Sequence, residues 1–181
     1  ASWDHSGLAI EPLSMASAEC EAFPKQSELG ASLVSRARVV VSVREALLAS
    51  SWTEAASWGA LSGALDLGSQ VLAPDDLAAL DEFSDARAEF DDARTATELA
   101  LSAALETGRS VRMSAGVWDH TPITTEALTL ASAEVQAFPK PSDAGRALLK
   151  QAQTVVAVRK ALLLCDWKKA ASWAALTKAL E

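Results

Sequence analysis

One long internal duplication restricts the fold of this chain more than any other feature of its sequence. Residues 1–66 align without a gap with residues 116–181, and 33 of the 66 pairs are identical. Shared runs include Trp-Asp-His, Ala-Ser-Ala-Glu, Phe-Pro-Lys and Ala-Ala-Ser-Trp. A fixed period of this kind is typical of repeat proteins, in which each copy is one supersecondary unit. We therefore expect a first arm over 1–66 and a second arm of the same design over 116–181.

The composition predicts that both arms are helical. Ala, Leu and Glu are abundant, and the 8 Gly and 6 Pro residues lie mostly at expected junctions. Val39-Val40-Val41 stays within a helix in this interpretation, because helical spacing of apolar residues continues on both sides. The predicted helices of the first arm are Glu11–Phe23, Glu28–Ala49 with Ser27 as its N-cap, and Ser51–Leu65. Those of the second arm are Glu126–Phe138, Asp143–Leu164 and Trp167–Leu180.

The segment between the arms, residues 67–115, predicts one long helix. Pro74-Asp75-Asp76 is a typical helix start, and neither Pro nor Gly follows until Gly108. A helix over Asp75–Thr107 would have only a narrow apolar stripe, so it would be half exposed or completed by a partner. That stripe consists of Leu77, Leu80, Phe83, Phe90, Thr97, Leu101 and Ala104. A second interpretation makes part of this segment a degenerate third repeat, because Asp85–Leu105 resembles Ala144–Leu164.

Charge is distributed unevenly along the chain. Residues 66–110 hold 11 acidic and 3 basic residues, whereas residues 111–181 hold 6 acidic and 9 basic ones. We therefore consider Lys168, Lys169 and Lys178 as a candidate interface for neighbouring repeats or for self-association. In the alternative, both charged faces are simply solvated. The net charge of −8 argues against general nucleic-acid binding, and no apolar run is long enough to span a membrane.

All six tryptophans fall within the duplicated arms, which indicates a packing role. Two tryptophans six residues apart on a helix project about 120° apart. One can therefore face its own arm while the other faces the next element. A ligand cage built from these rings is the alternative. The predicted packing anchors are Trp3, Trp52 and Trp58 in the first arm, and Trp118, Trp167 and Trp173 in the second.

Few residues suggest chemistry. His5 and His120, next to Asp4 and Asp119, are of the types that bind metals, but adjacent side chains point apart in most conformations. We therefore expect them to organise the turn before the first helix of each arm. The sequence contains no nucleotide-binding or zinc-protease motif. We expect no catalytic residues, no metal and no cofactor.

The sequence thus predicts an all-α fold: duplicated three-helix arms joined by a long acidic central helix, over 1–66, 67–115 and 116–181. The expected function is non-catalytic, as a scaffold, spacer or protein-interaction segment of a larger repeat-containing protein. The chain begins without Met and ends inside a predicted helix, which favours a fragment. We expect a cytoplasmic location. The alternative is a ligand- or cofactor-binding helical domain with a tryptophan-lined pocket between the arms.

Overall fold

A computed structural model of the chain describes residues 3–5, 7–107, 112–114, 117–119, 123–166, 169 and 173–181. For residues 112–114 and 117–119 it describes the backbone alone. Helices dominate these residues, which confirms the predicted all-α class. The helices are α1 (Glu11–Glu21), α2 (Glu28–Ala49), α3 (Gly59–Val71), α4 (Pro74–Ala78), α5 (Asp81–Glu106), α6 (Glu126–Ala137), α7 (Asp143–Leu164) and α8 (Trp173–Leu180).

The chain divides into two compact units, Ala1–Ala93 and Arg94–Glu181, which we call the N-terminal and C-terminal units. The boundary lies inside α5, so one continuous helix contributes its first half to one unit and its second half to the other. The sequence had suggested three segments with α5 in a segment of its own. Each half of α5 instead packs into the core of its own unit.

The first two helices of each arm begin at matched positions. Helices α1 and α6 begin 115 residues apart, and so do α2 and α7. The side chain of Ser27 caps α2 by accepting a hydrogen bond from the amide of Gly30, at 3.0 Å. Ser142 caps α7 in the same way, accepting from Gly145 at 2.9 Å. These caps satisfy amides that the helix itself leaves free.

The third predicted helix of the first arm is wrong at its start. Residues Ser51 and Glu54 form an isolated antiparallel bridge, Ala55–Trp58 form a 3-10 turn, and α3 begins only at Gly59. The hydroxyl of Ser57 accepts from the amide of Ser51 at 2.7 Å and donates to the carbonyl of Glu54 at 2.7 Å. Such side-chain bonds offer the backbone an alternative to helix. In the second arm α8 begins at Trp173, and residues 167, 168 and 170–172 of the predicted helix lie outside the described residues.

The predicted single helix Asp75–Thr107 is also wrong, because it divides into α4 and α5. No glycine or proline marks the break at Ala79 and Leu80. The residues before and after the break contact other helices of the N-terminal unit. Arg36 on α2 forms an ion pair with Asp76 on α4 at 3.1 Å, and Phe83 on α5 lies against Gly68 on α3. The break allows both contacts to form.

The structure also contains a short element that the sequence analysis did not predict. Strands β1 (Arg112–Ser114) and β2 (Val117–Asp119) pair in antiparallel fashion, with Met113 opposite Trp118. They belong to the C-terminal unit. Their six residues leave the all-α class unchanged.

Candidate functional site

The ring of Trp58 lies at the centre of the N-terminal unit, with 2% of its surface exposed. Its Nε1 donates to the carbonyl of Ser51 at 3.0 Å. Trp52 and Phe90 contact it edge-on, with ring centroids 5.4 and 6.5 Å away. Aromatic pairs favour this arrangement, and a buried indole N–H needs such an acceptor. Because protein groups occupy its surroundings, Trp58 joins the start of α3 to α5 and is not open to a ligand.

The other predicted anchors occupy different environments. Trp52 is about half exposed on the outer side of Trp58, while Trp3 and Trp173 are half-buried. The indole N–H of Trp3 is buried and has no hydrogen-bond partner among the described residues. Trp118 contributes backbone to β2, and its side chain lies outside the description, as does Trp167. Among the described rings of this set, Trp52 and Trp58 contact each other.

The candidate lysine interface is described in part. Lys169 is exposed and forms an ion pair with Asp166 at 3.2 Å. Lys178 is exposed on α8. Lys168 lies outside the described residues. An exposed ion pair three residues apart contributes little to stability. The side chain of Lys169 is 77% exposed, so its charge is accessible to solvent.

A partly buried hydrogen bond connects the Trp-Asp-His segment to α5. The Nε2 atom of His5 lies 2.8 Å from the Oε2 atom of Glu89, whose residue is only 1% exposed. The other oxygen of Glu89 is buried and has no partner among the described residues. A buried carboxylate is costly unless it is paired, so His5 stabilises the position of Glu89. His5 thus fixes the segment before α1 to the central helix, beyond the local turn role that the sequence suggested.

Sequence reasoning missed Glu89, because acidic residues surround it and the whole segment looked solvated. A signal was present in the helical spacing. Glu89 follows Ala86 by three positions and precedes Ala93 by four, and both alanines are buried. Residues at these spacings share one helix face. A carboxylate on a buried stripe calls for a partner, and His5 is that partner.

Arg44 on α2 holds two other segments of the N-terminal unit. Its guanidinium donates to the carbonyl of Ala9 and forms a bidentate ion pair with Glu82, in which Nε lies 2.7 Å from Oε2. The hydrogen bond from Arg44 lowers the pKa of Glu82, and that from Glu82 raises the pKa of Arg44. The planar guanidinium suits this geometry, because it presents several donors in a fixed fork.

Arg159, 115 residues after Arg44, forms a similar clamp in the C-terminal unit. It is buried and donates to the carbonyl of Thr124 at 3.0 Å, to Leu105 at 3.4 Å and to Thr107 at 2.7 Å. Thr124 itself lies 115 residues after Ala9. Both arginines therefore bind the carbonyl at the same position before the first helix of their arm. The other guanidinium N–H groups have different partners in the two units. Those of Arg44 bind the carboxylate of Glu82, and those of Arg159 bind the carbonyls of Leu105 and Thr107 at the end of α5.

Glu98 on α5 caps the start of α7. It accepts hydrogen bonds from the amide of Ser142 at 2.8 Å and from its hydroxyl at 2.6 Å. Ser142 in turn accepts from the amide of Gly145. A Cβ at Gly145 would overlap the Glu98 carboxylate, lying only 2.7 Å from its Cδ atom. The absence of a side chain at Gly145 therefore allows Glu98 to approach the positive end of this helix.

Each unit has a groove between the first two helices of its arm, of about 320 Å³ in the N-terminal unit and about 330 Å³ in the C-terminal unit. The two grooves share matched lining positions. At one of them Glu45 in the first groove corresponds to Lys160 in the second, so the charge is reversed. Among the described residues that line these two grooves there is no tryptophan.

His5, Arg44, Glu98 and Arg159 form hydrogen bonds with the backbone or side chains of their own unit. The imidazole of His5 hydrogen bonds to no hydroxyl or thiol in the described part of the chain. Within the same part, no cluster of three or more His, Cys, Asp or Glu side chains has an arrangement suited to a metal ion. None of the described helices combines the length and apolar character that crossing a membrane requires.

Comparisons with protein-family models, curated proteins and solved structures found no match to this chain.

Proposed function

We propose that this chain is a non-catalytic helical-repeat module that acts as a scaffold or protein-interaction segment of a larger repeat-containing protein. The observation that carries the proposal is the paired arginine clamp. Arg44 and Arg159 bind the carbonyls of Ala9 and Thr124, at sequence positions that match in both arms. Repeat proteins keep the contacts that hold each unit together and vary the surfaces that each unit presents.

The exposed residues of the two arms support this proposal because they differ in chemistry. The matched grooves carry Glu45 in one arm and Lys160 in the other. The first arm also exposes apolar side chains on α2 and in the turn before it. Clustered exposed apolar residues mark interaction surfaces more often than reaction sites. These exposed residues are Phe23, Leu29 and Leu33.

The paired ionisable groups also favour a structural role. Glu98, Arg159 and His5 each bind another group of the same unit, and these bonds hold helix starts, helix ends or the segment before α1. A catalytic group must instead reach a substrate within hydrogen-bond distance. We therefore assign these side chains to the stability of the module.

Affinity capture with the full chain, followed by reconstitution from purified components, tests this function. We expect a protein partner to bind with defined stoichiometry. Replacement of exposed residues, in F23S/L33S or K169E/K178E, should weaken that complex at least about tenfold. H5A serves as a control that alters a buried pair and leaves those surfaces unchanged.

Two results would contradict the proposal. One is a small molecule that quenches tryptophan fluorescence saturably and raises the melting temperature, in the absence of any protein partner. The other is a reconstituted complex that tolerates both sets of surface replacements. Either result would favour a ligand-binding domain or a purely internal role for these residues.

A further inference from the structure

The first arm exposes a face whose counterpart in the second arm is covered by α5. We call it the Phe23 face, and it consists of Phe23, Ser27, Gly30 and Leu33. Phe23 is 70% exposed, whereas Phe138, the matched residue in the second arm, is 3% exposed. Each phenylalanine begins a Phe-Pro-Lys run that both arms contain, so the local sequence does not explain this difference in exposure.

The second half of α5 covers positions of the second arm that match the Phe23 face: Glu98 lies against Ser142 and Gly145, and Leu148 packs on the cluster that contains Leu101. Leu101, Ala104 and Leu105 pack with Leu128, Val135 and Ala152 of the second arm in one buried cluster. The residues at the matched positions of the first arm, Leu13, Cys20 and Ala37, are only half-buried. The first half of α5 contributes Phe83 and Phe90 to the N-terminal unit, but these residues lie against α3 and Trp58.

The Phe23 face also has the two residues that correspond to the contacts of Glu98 in the second arm. Ser27 and Gly30 match Ser142 and Gly145, which together admit the carboxylate of Glu98. Ser27 caps its helix as Ser142 does. Among the described residues, no side chain accepts a hydrogen bond from the amide or hydroxyl of Ser27. A Cβ at Gly30 would meet only Ser27 and Cys20, at 3.4 and 3.8 Å, so no described side chain holds the place that Glu98 takes beside Gly145.

We propose that the Phe23 face binds an amphipathic helix of a protein partner that carries Glu, Leu and Leu at the spacing of Glu98, Leu101 and Leu105. Its Glu binds the amide and hydroxyl of Ser27. Its two leucines cover Leu13, Cys20 and Leu33, which match residues of the buried cluster of the second arm or residues packed against it, and they shield the exposed ring of Phe23. These positions lie three and seven residues apart and share one helix face. The inference rests on the proposed interaction function and specifies the chemistry of one partner.

A labelled peptide with the sequence of residues 94–107 is the probe, and fluorescence anisotropy with the full chain measures its binding. We expect saturable binding that F23S weakens at least about tenfold, because truncation of a central aromatic anchor removes much of the binding energy. The peptide variant Leu101→Ser should bind at least about tenfold more weakly as well. The matched control is L130S, which replaces another exposed apolar residue on α6.

Several outcomes would overturn the proposal. One is the absence of saturable binding to a chain whose circular dichroism shows intact helices. Another is binding that F23S leaves unchanged, since the peptide would then occupy a different face or displace the chain's own segment. A third is a dimer in sedimentation that F23S abolishes, because a second copy would then cover the face. If the peptide fails but a reconstituted partner still depends on Lys169 and Lys178, only this inference falls, and the proposed function stands.

Discussion

The carboxylate of Glu98 accepts two hydrogen bonds from Ser142, one from its backbone amide at 2.8 Å and one from its hydroxyl at 2.6 Å. This contact joins the second half of α5 to the start of α7. It depends on Gly145, which has no side chain to obstruct the carboxylate. Gly30 occupies the matched position in α2, where only Ser27 and Cys20 are near. The two glycines therefore offer a direct comparison.

G145A should destabilise the protein by about 1–3 kcal/mol, because Glu98 must move and its hydrogen bonds to Ser142 are lost. G30A should be neutral or stabilising by up to about 1 kcal/mol, since alanine is the better helix former. Urea unfolding followed by circular dichroism measures both values. Equal effects of the two substitutions would show that Glu98 does not depend on the space at Gly145.

A second pair of glycines lies within α3. A Cβ at Gly68 would overlap the ring of Phe83 and lie 3.1 Å from the Cγ1 atom of Val39, whereas Gly63 has no neighbour within 4 Å. G68A should destabilise the N-terminal unit by about 1–3 kcal/mol through overpacking. G63A should stabilise it by up to about 1 kcal/mol. Thermal unfolding of the two variants tests this, and a stabilising G68A would mean that Phe83 does not pack on α3.

The two arginine clamps should differ in their contribution to stability. R159A removes a buried guanidinium and leaves the carbonyls of Leu105 and Thr107 without their donor, so we expect a loss of about 2–4 kcal/mol. R44A removes a partly exposed pair and should cost about 1 kcal/mol. Exposed Lys150 on α7 supplies a control, K150A, with an expected change below about 0.5 kcal/mol. A loss for R159A no larger than for K150A would contradict the clamp.

The pair of His5 and Glu89 is best tested by a double-mutant cycle. H5A should destabilise the N-terminal unit by about 1–3 kcal/mol, because it leaves the buried carboxylate of Glu89 without its partner. H5A/E89L should recover part of that loss, since leucine carries no charge into the buried site. D92N, on the exposed face of the same helix, is the control. Additive effects of H5A and E89L would rule out an interaction between the two side chains.

Stability should fall in acid partly through Glu82. Its hydrogen bond from Arg44 lowers its pKa in the folded protein, so the unfolded chain binds a proton at higher pH than the folded chain does. The stabilisation is therefore complete above the ordinary Glu pKa of about 4.3 and decreases as the pH falls through the lower folded value. Urea midpoints between pH 7 and pH 2.5 should fall less steeply for E82Q than for the parent protein. Identical slopes would contradict this assignment.

The sequence predicted those parts of the fold that depend on local signals. Helix α2 starts after Ser27 and ends at Ala49, as its cap and apolar spacing indicated, and α7 extends from Asp143 to Leu164 as predicted. The break after α4 is not marked by glycine or proline, and the residues on its two sides that contact other helices are Asp76 and Phe83. Local patterns do not contain such tertiary information.

The candidate site was less predictable than the helices. The duplicated tryptophans predict packing anchors; Trp58 lies in the core of its unit, whereas Trp52 is about half exposed. Glu89 and Glu98 were grouped with the solvated acids of the central segment, yet one is buried beside His5 and the other caps α7. The number of charges in a segment does not show which of its residues are buried. That depends on the helix face on which each carboxylate lies and on a hydrogen-bond partner far away in the sequence.

Because α5 passes from Ala93 to Arg94 without a turn, no loop marks the point where one compact unit ends and the next begins. Proteases need several residues of extended chain, and they prefer exposed loop tips. Limited digestion should therefore spare this junction for as long as the helix is formed. The same continuity means that truncation at residue 93 or 94 would divide a helix and expose four unsatisfied backbone groups on each side of the cut.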